Sequence, residues 1–316
     1  PTFLFALFVV PVIWIIFSLF GNYSDNWVHI YNYTLFGYIY NTALIIIGTS
    51  IGTLIIGVGS AWLVTTYNFT GKKFLVWALL LPFAVPPYIL SYSFTGLFDS
   101  YGTANNLVRD LFSLPNEFIF FPKLRNVYGA SIVFSFTLYP YVYLVSRMAF
   151  INQSRSMLEV GRTLGYNNFK IFYKLSMPAI RPAIIAGLML VLMETISDFG
   201  AVEHFAVNTF TTGIFSAWFG LYDFHTAKQL AALLLIVVIS FLILEKYSRR
   251  KSRYSSGSNV FSPIAAEKLN GFQNIFASLF CFIPVFVGFV LPNIQLGYWA
   301  LNYKLDFFHF SDLKNE

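Results

Sequence analysis

The chain has 316 residues, of which 57% are hydrophobic and 11% charged, with a net charge of +6 and a single cysteine. An ordinary soluble domain carries roughly 25% charged residues, so this composition excludes a soluble globular fold and points to a chain embedded in lipid. Cys281 has no second cysteine to pair with, which excludes an internal disulfide framework and a cysteine metal cluster.

Apolar runs long enough to cross a roughly 30 Å hydrocarbon core predict an all-α, polytopic helix bundle of about seven transmembrane spans. They fall near 3–20, 38–64, 74–98, 127–148, 179–200, 227–245 and 272–292. The second span holds Gly48 and Gly52 in a small-xxx-small pair, with Gly57 and Gly59 beyond, a pattern for close helix packing. In the third, Pro82, Pro86 and Pro87 remove backbone donors and predict a bend. Carbonyls freed at membrane depth must face protein or a water-filled cavity, so Pro86 and Pro87 are candidates for a cargo path. A kink that improves packing is the alternative.

Between the fourth and fifth spans runs a polar, basic insert. Ser156-Met157-Leu158-Glu159 is a capping-box pattern that predicts a short helix start, and Gly165 suits the left-handed residue that ends it. Asn167 or Asn168 can cap a second helix carrying Phe169, Ile171, Phe172 and Leu175, expected to stop at Pro178. Leu158, Leu164, Phe169 and Phe172 offer an apolar ridge among Arg155, Arg162, Lys170, Lys174 and Arg181. A helix pair lying on anionic lipid is the simpler reading of these residues alone.

Near the outer end of the fifth span, Glu194 and Asp198 lie four apart and share a helix face. Intramembrane carboxylates face a cavity or a partner, which makes both candidates for meeting a passing cation. Asp198 has a second reading, as a cap of the turn Asp198-Phe199-Gly200. His29, His204, His225 and His309 fall on external segments. Glu203 and Asp223 lie near His204 and His225, but Fe(III) favours hard oxygen ligands and the spacing matches no recognised cluster, so chance exposure is expected. Trp27, Tyr38, Tyr101, Tyr139, Trp218 and Tyr247, near span ends, read as interface anchors.

Orientation follows from the basic residues. With the first span running outward, Lys72, Lys73, Arg147, Arg155, Arg162, Lys170, Lys174, Arg181, Lys246, Arg249, Arg250, Lys251, Arg253 and Lys268 lie inside. Arg109, Lys123, Arg125, Lys228, Lys304 and Lys314 lie outside, so the positive-inside rule places the insert in the cytoplasm. The net charge is a topology signal, and no nucleic-acid module surrounds it.

Glu159-Val160-Gly161-Arg162-Thr163-Leu164-Gly165, followed by Leu175-Ser176-Met177-Pro178, matches the spacing of the EAA loop, and the chain resembles the permeases of bacterial ABC importers. Glu159, Gly165 and Pro178 fall on fixed positions of that loop, while Val160, Gly161, Leu175 and Met177 depart conservatively. The resemblance implies a type I importer permease fold in the inner membrane. It also implies that Glu159, Gly161, Gly165, Leu175, Met177 and Pro178 form a docking loop for a dimer of cytoplasmic ABC ATPases.

Other segments narrow the likeness. Ala61-Trp62-Leu63-Val64-Thr65-Thr66, Leu81-Pro82-Phe83-Ala84-Val85-Pro86-Pro87-Tyr88, Ser197-Asp198-Phe199-Gly200, Phe210-Thr211-Thr212-Gly213-Ile214 and Ala217-Trp218-Phe219-Gly220 are similar to the fused permease of ferric-iron importers. That implies a two-unit permease and a periplasmic protein that delivers Fe(III). Thiamine, polyamine and sulfate permeases share the layout and remain alternatives. The expected organisation is a first unit at 1–248, a flexible cytoplasmic linker at 249–270, and the first span of a second unit at 271–316, with the chain a piece of a longer one.

The sequence holds no phosphate-binding Gly-x-x-x-x-Gly-Lys-Ser/Thr loop and no nucleophile elbow. The chain is therefore read as a transport subunit with no cofactor of its own, ATP and Mg being bound by the partner ATPase. An ion-coupled secondary transporter, with Glu194 and Asp198 as coupling sites, is the reading from another class, and it leaves the loop spacing unexplained. A non-transporting membrane scaffold is a third.

Overall fold

The computed structural model describes residues 2–115, 117–153, 161–250 and 267–302. Helix α1 (Thr2–Phe17) ends in a 3-10 turn (Ser18–Phe20) and is followed by the short α2 (Asp25–Tyr33) and the long α3 (Leu35–Thr66). A two-residue strand β1 (Tyr67–Asn68) leads to α4 (Lys72–Ala78), a 3-10 turn (Leu81–Ala84), α5 (Pro87–Phe98) and α6 (Thr103–Phe112). Helix α7 (Val127–Ile151) crosses back. After it come α8 (Asn168–Ile171), α9 (Met177–Ser197), α10 (Gly200–His204), α11 (Phe210–Phe215) and α12 (Phe224–Arg250). Strand β2 (Glu267–Lys268), α13 (Gly271–Val285) and α14 (Leu291–Asn302) complete the described chain.

Five helical runs among the described residues are long and apolar enough to span a membrane: Leu35–Thr66, Val127–Ile151, Asn168–Ser197, Phe224–Tyr247 and Gly271–Asn302. The expected first span is a shorter apolar helix. The expected third span is two pieces, Lys72–Ala84 and Pro87–Phe112, set at 92° to each other. Prolines cause the break. Val85 and Pro86 are extended (ψ 106° and 147°), since a residue ahead of proline is kept out of the helical region and each proline lacks the N–H that would continue the ladder.

Pro178 behaves differently from the sequence expectation. It does not stop a helix: α8 runs into α9 through a π-helical turn at Phe172–Ser176, in which the Met177 N–H donates to the Phe172 carbonyl five residues back. The extra residue in that turn widens the ladder where the proline ring would crowd the carbonyl four residues before it. The same solution recurs at Phe286–Val290, where Leu291 bonds to Phe286 just ahead of Pro292.

The largest hydrophobic core cluster joins α3, α4, α5, α7, α9 and α13, with Tyr139, Tyr143 and Phe134 of α7 fully buried among Val58, Leu79, Leu90 and Cys281. Its tightest seam is α3 against α7. A Cβ added at Gly52 would lie 2.1 Å from Ser135 Oγ and 2.6 Å from Ser135 Cβ, and one at Gly57 would lie 3.0 Å from the Tyr139 carbonyl oxygen. Without water to squeeze out between helices, this close approach supplies the association energy through van der Waals contact.

A second, smaller cluster holds α2 and the start of α3 against α11 and α12. Outside the spans, Asp223 closes it. Its carboxylate accepts from Ser24 Oγ (2.6 Å), Asn26 Nδ2 (3.1 Å), Thr226 Oγ1 (2.8 Å) and the Thr226 N–H (3.0 Å). Burial pushes this carboxyl upward, but the donors from Ser24, Thr226 and Asn26 outweigh it and hold Asp223 well below the usual carboxylate range.

Gly52→Ala should destabilise the purified protein by about 1–3 kcal/mol through overpacking, and adding Ser135→Gly should recover part of that loss; thermal unfolding in detergent across the double-mutant cycle measures it. Because the Asp223 carboxyl is depressed by folding, its stabilisation is complete above the unfolded value of about 4 and is withdrawn as pH falls through the lower folded value. The stability gap between wild type and Asp223→Asn should therefore be largest at neutral pH and narrow as titration proceeds below about pH 4.

Candidate functional site

Glu159 and the Ser156–Glu159 capping box lie outside the described residues. From Gly161 onward the loop is defined. Gly165 is left-handed at φ 72°, its N–H donates to the Arg162 carbonyl (3.0 Å), and the Tyr166 N–H donates to the Gly161 carbonyl (3.0 Å). This pair of bonds ends a helix at a glycine, as the sequence predicts. Asn167 then caps α8, its side chain accepting from the Lys170 N–H at 2.9 Å.

The two arms of the loop close on each other. Gly161 is buried, and a Cβ there would lie 2.7 Å from Leu175 Cδ1 and 3.1 Å from Ile171 Cγ1, so two of the sequence candidates, Gly161 and Leu175, are in contact. Met177 and Phe172 pack on the core, Phe172 with its ring 5.1 Å from Trp62. Leu164, Phe169 and Tyr173 are left exposed, with Pro178 exposed below them. Arg162 and Asn168 both reach Glu267 of β2, a residue that no local sequence pattern connects to the loop.

Far along the same helix, Glu194 is exposed, with Met193, Leu190 and Ser197 beside it. Its Oε1 lies 3.4 Å from the Tyr141 hydroxyl of α7, and the Tyr141 ring meets Phe83 of the proline bend edge-on at 4.7 Å. Tyr141 and Phe83 thus join Glu194 to the bend that holds Pro86 and Pro87. Pro86 is exposed and Pro87 half-buried, and Tyr88 next to them packs against Gly200. Asp198 does not share the open position of Glu194. Its Oδ1 accepts from the Ala201 N–H (2.8 Å) and its carbonyl from Thr211 Oγ1 (2.9 Å), the capping role that was its second reading.

Beyond Asp198, His204 is half-buried rather than a freely exposed ring. Its Nε2 lies 2.7 Å from Thr95 Oγ1, and Tyr88 and Tyr92 flank it at 6.0 and 5.7 Å. Burial, with the Arg125 charge adding to it, lowers its pKa and favours the neutral ring. An open pocket of about 1000 Å³ adjoins, lined by Tyr92, Thr95, Asp99, Lys123, Arg125 and Trp299 among others, with Arg125 paired to Asp99 at 3.2 Å. No group of three or more His, Cys, Asp or Glu side chains able to hold a metal ion occurs among the described residues.

Over 263 residues the chain is 26% identical to the Fe(3+)-transport system permease protein FbpB 2 of Haemophilus influenzae, an alignment covering 83% of this chain and 47% of that protein. The chain thus spans about half the length of that relative. It is 28% identical over 207 residues to the molybdenum transport system permease protein ModB of Escherichia coli, covering 64% of the chain and 87% of the relative. With the probable sulfate transport system permease protein cysT of Prototheca wickerhamii it shares 24% over 262 residues, 77% of the chain and 98% of the relative. Among solved structures, a bacterial alginate ABC transporter in complex with its alginate pentasaccharide-bound periplasmic protein superposes with a TM-score of 0.59 at 15% identity, over 79% of this chain and 92% of that one, a likeness of fold. Residues 53–244, more than half of the chain, match the family of binding-protein-dependent transport system inner membrane components, and the chain belongs to that family.

Proposed function

We propose that this chain forms a permease unit of an ATP-driven importer and that its loop from Glu159 to Pro178 docks a dimer of cytoplasmic ABC ATPases. The observation that carries this reading is the loop itself. A helix ends at left-handed Gly165, its last turn is sealed by the Gly161–Leu175 contact, and Leu164, Phe169 and Tyr173 stand exposed in a basic surround. Such a compact pair of turns offers a rigid knob with an apolar ridge, the shape a groove on a partner accepts. ATP and Mg belong to the partner, and the permease converts closure of the ATPase dimer into alternating access. The loop end faces the cytoplasm by the positive-inside rule, and lipid surrounds the spans.

The cargo path in this reading runs along the open face of α9, between this unit and a second permease unit, past Glu194 and the Pro86–Pro87 bend. A periplasmic binding protein hands cargo to the opposite end. Ferric iron is the cargo we assign: an exposed carboxylate on the path attracts a cation and repels an oxyanion, and the iron permease relative aligns over 83% of this chain. An oxyanion such as molybdate or sulfate is the second reading, supported by the molybdenum and sulfate permease relatives, which align over 64% and 77% of this chain.

Gly165→Val places a β-branched residue at φ 72°, a strain of about 1–3 kcal/mol that should misalign the knob. The variant should lose co-purification with the ATPase, and wild-type yield together with wild-type ATP turnover would remove the docking role. Glu194→Gln should lower Fe(III) uptake about fivefold, the equivalent of ~1 kcal/mol of lost attraction, while ATPase retention stays unchanged. Unchanged iron uptake with altered molybdate or sulfate uptake would instead select the oxyanion reading.

A further inference from the structure

The segment that precedes α13 is fastened to the same end of the bundle as the loop. Strand β2 pairs parallel with β1, Tyr67 opposite Glu267 and Asn68 opposite Lys268, and the Leu269 N–H continues the ladder to the Asn68 carbonyl at 3.0 Å. One turn further, Thr70 is held three times: its N–H donates to Asn274 Oδ1 (2.8 Å), its hydroxyl oxygen accepts from Asn274 Nδ2 (2.9 Å), and its carbonyl accepts from Ser278 Oγ (2.9 Å). Every polar group of Thr70 is thus spent on α13. The Glu267 carboxylate, on the outer edge of the strand pair, takes Arg162 Nη2 at 3.4 Å and Asn168 Nδ2 at 3.3 Å, one residue from each arm of the loop.

We propose that residues 267–278 are a latch: they clamp the α3–α4 turn to α13 and, through Glu267, hold both arms of the loop, so that the loop and the helix leading into the following half of the permease move as one body. Glu267 is a positioning residue in this scheme, and the transport consequence rests on the docking role proposed above. The geometry has a physical logic. An exposed ion pair between two free loops contributes little because it must order both partners, but Glu267 is already fixed by a backbone ladder, so Arg162 and Asn168 lose less freedom in meeting it. Both sit where the loop turns, Arg162 in the turn sealed by Gly165 and Asn168 at the start of α8, so one carboxylate sets the angle between the arms. Tyr67, opposite Glu267, is kept a neutral phenol by burial and secondarily by the Glu267 charge.

The test has two arms. In membranes carrying the full chain with a protease site inserted between residues 251 and 266, the pair Arg162→Cys with Glu267→Cys should cross-link with a short reagent, leaving the two proteolytic pieces joined on a denaturing gel until reduced. Pieces that separate would overturn the latch whatever the loop docks. In the transporting assembly, Glu267→Arg should lower uptake per ATP hydrolysed roughly two- to fivefold, the range open to an exposed pair, with the ATPase still retained. Adding Arg162→Glu should restore it. Coupling unaffected by Glu267→Arg, or a swap that fails to rescue while Asn274→Ala also leaves coupling intact, would overturn the proposal. Loss of ATPase binding by the wild type would count against the docking reading alone, since the cross-link does not depend on it.

Discussion

Three elements reach α7 at backbone distance, and each does so through a glycine. Gly57 of α3 and Gly187 of α9 both face Val142, where an added Cβ would lie 2.8 Å from Val142 Cβ and 3.0 Å from its Cα respectively, and Gly288 before α14 faces the Phe136 carbonyl at 2.6 Å. Helix α7 is accordingly the most enclosed of the spans, with 72% of its apolar window buried. In hydrocarbon, helices gain nothing from hiding apolar surface from one another, so depth of contact replaces the hydrophobic effect and small residues set that depth. Once α3, α9 and the α13–α14 run are seated on α7, the positions of the loop, the proline bend and Glu194 follow from where those elements end.

Much of this was legible in the chain because it is local. The Gly48 and Gly52 spacing marks the packing face, Gly165 marks a left-handed helix end, Asn167 marks a cap, and Pro82 to Pro87 mark a break, each a property of one residue and its near neighbours. Pro178 misled for the same reason. Judged locally a proline ends a helix, but the π turn at Phe172–Ser176 accommodates it, and that turn exists where Phe172 and Ile171 are held by the core on one side and Gly161 on the other. Nothing within a few residues of Pro178 carries that information.

What the sequence left unread is long-range. Glu267 is about a hundred residues from Arg162 and Asn168 and two hundred from Tyr67, and only the bundle brings them together. The Tyr141–Glu194 approach likewise needs α7 and α9 in register. Asp198 shows the limit of helical spacing as an argument: four residues from Glu194 would share its face in a continuing helix, but α9 stops at Ser197, and the carboxylate turns instead to the free Ala201 N–H of the next helix. A carboxylate at a helix boundary has unsatisfied amides within reach, and those outcompete a position facing a cavity.

The second arm of the loop and Glu194 lie on a single helical run, Asn168–Ser197, of 30 residues. At 1.5 Å per residue that run is about 45 Å long, enough to reach from Phe169 across a bilayer. The π turn sits close to the loop end of the run, between the exposed ridge and the seat of the helix on α7, where Gly187 meets Val142 and Glu194 approaches the Tyr141 hydroxyl. On the docking role proposed above, a push on the loop would reach Glu194 through this run, with the Gly187–Val142 contact as its seat on α7. In that reading the α3–α7 seam, Gly52 against Ser135 and Gly57 against Tyr139, is the fixed part of the bundle, and the α9 face bearing Glu194 is the part that shifts relative to the Phe83 bend.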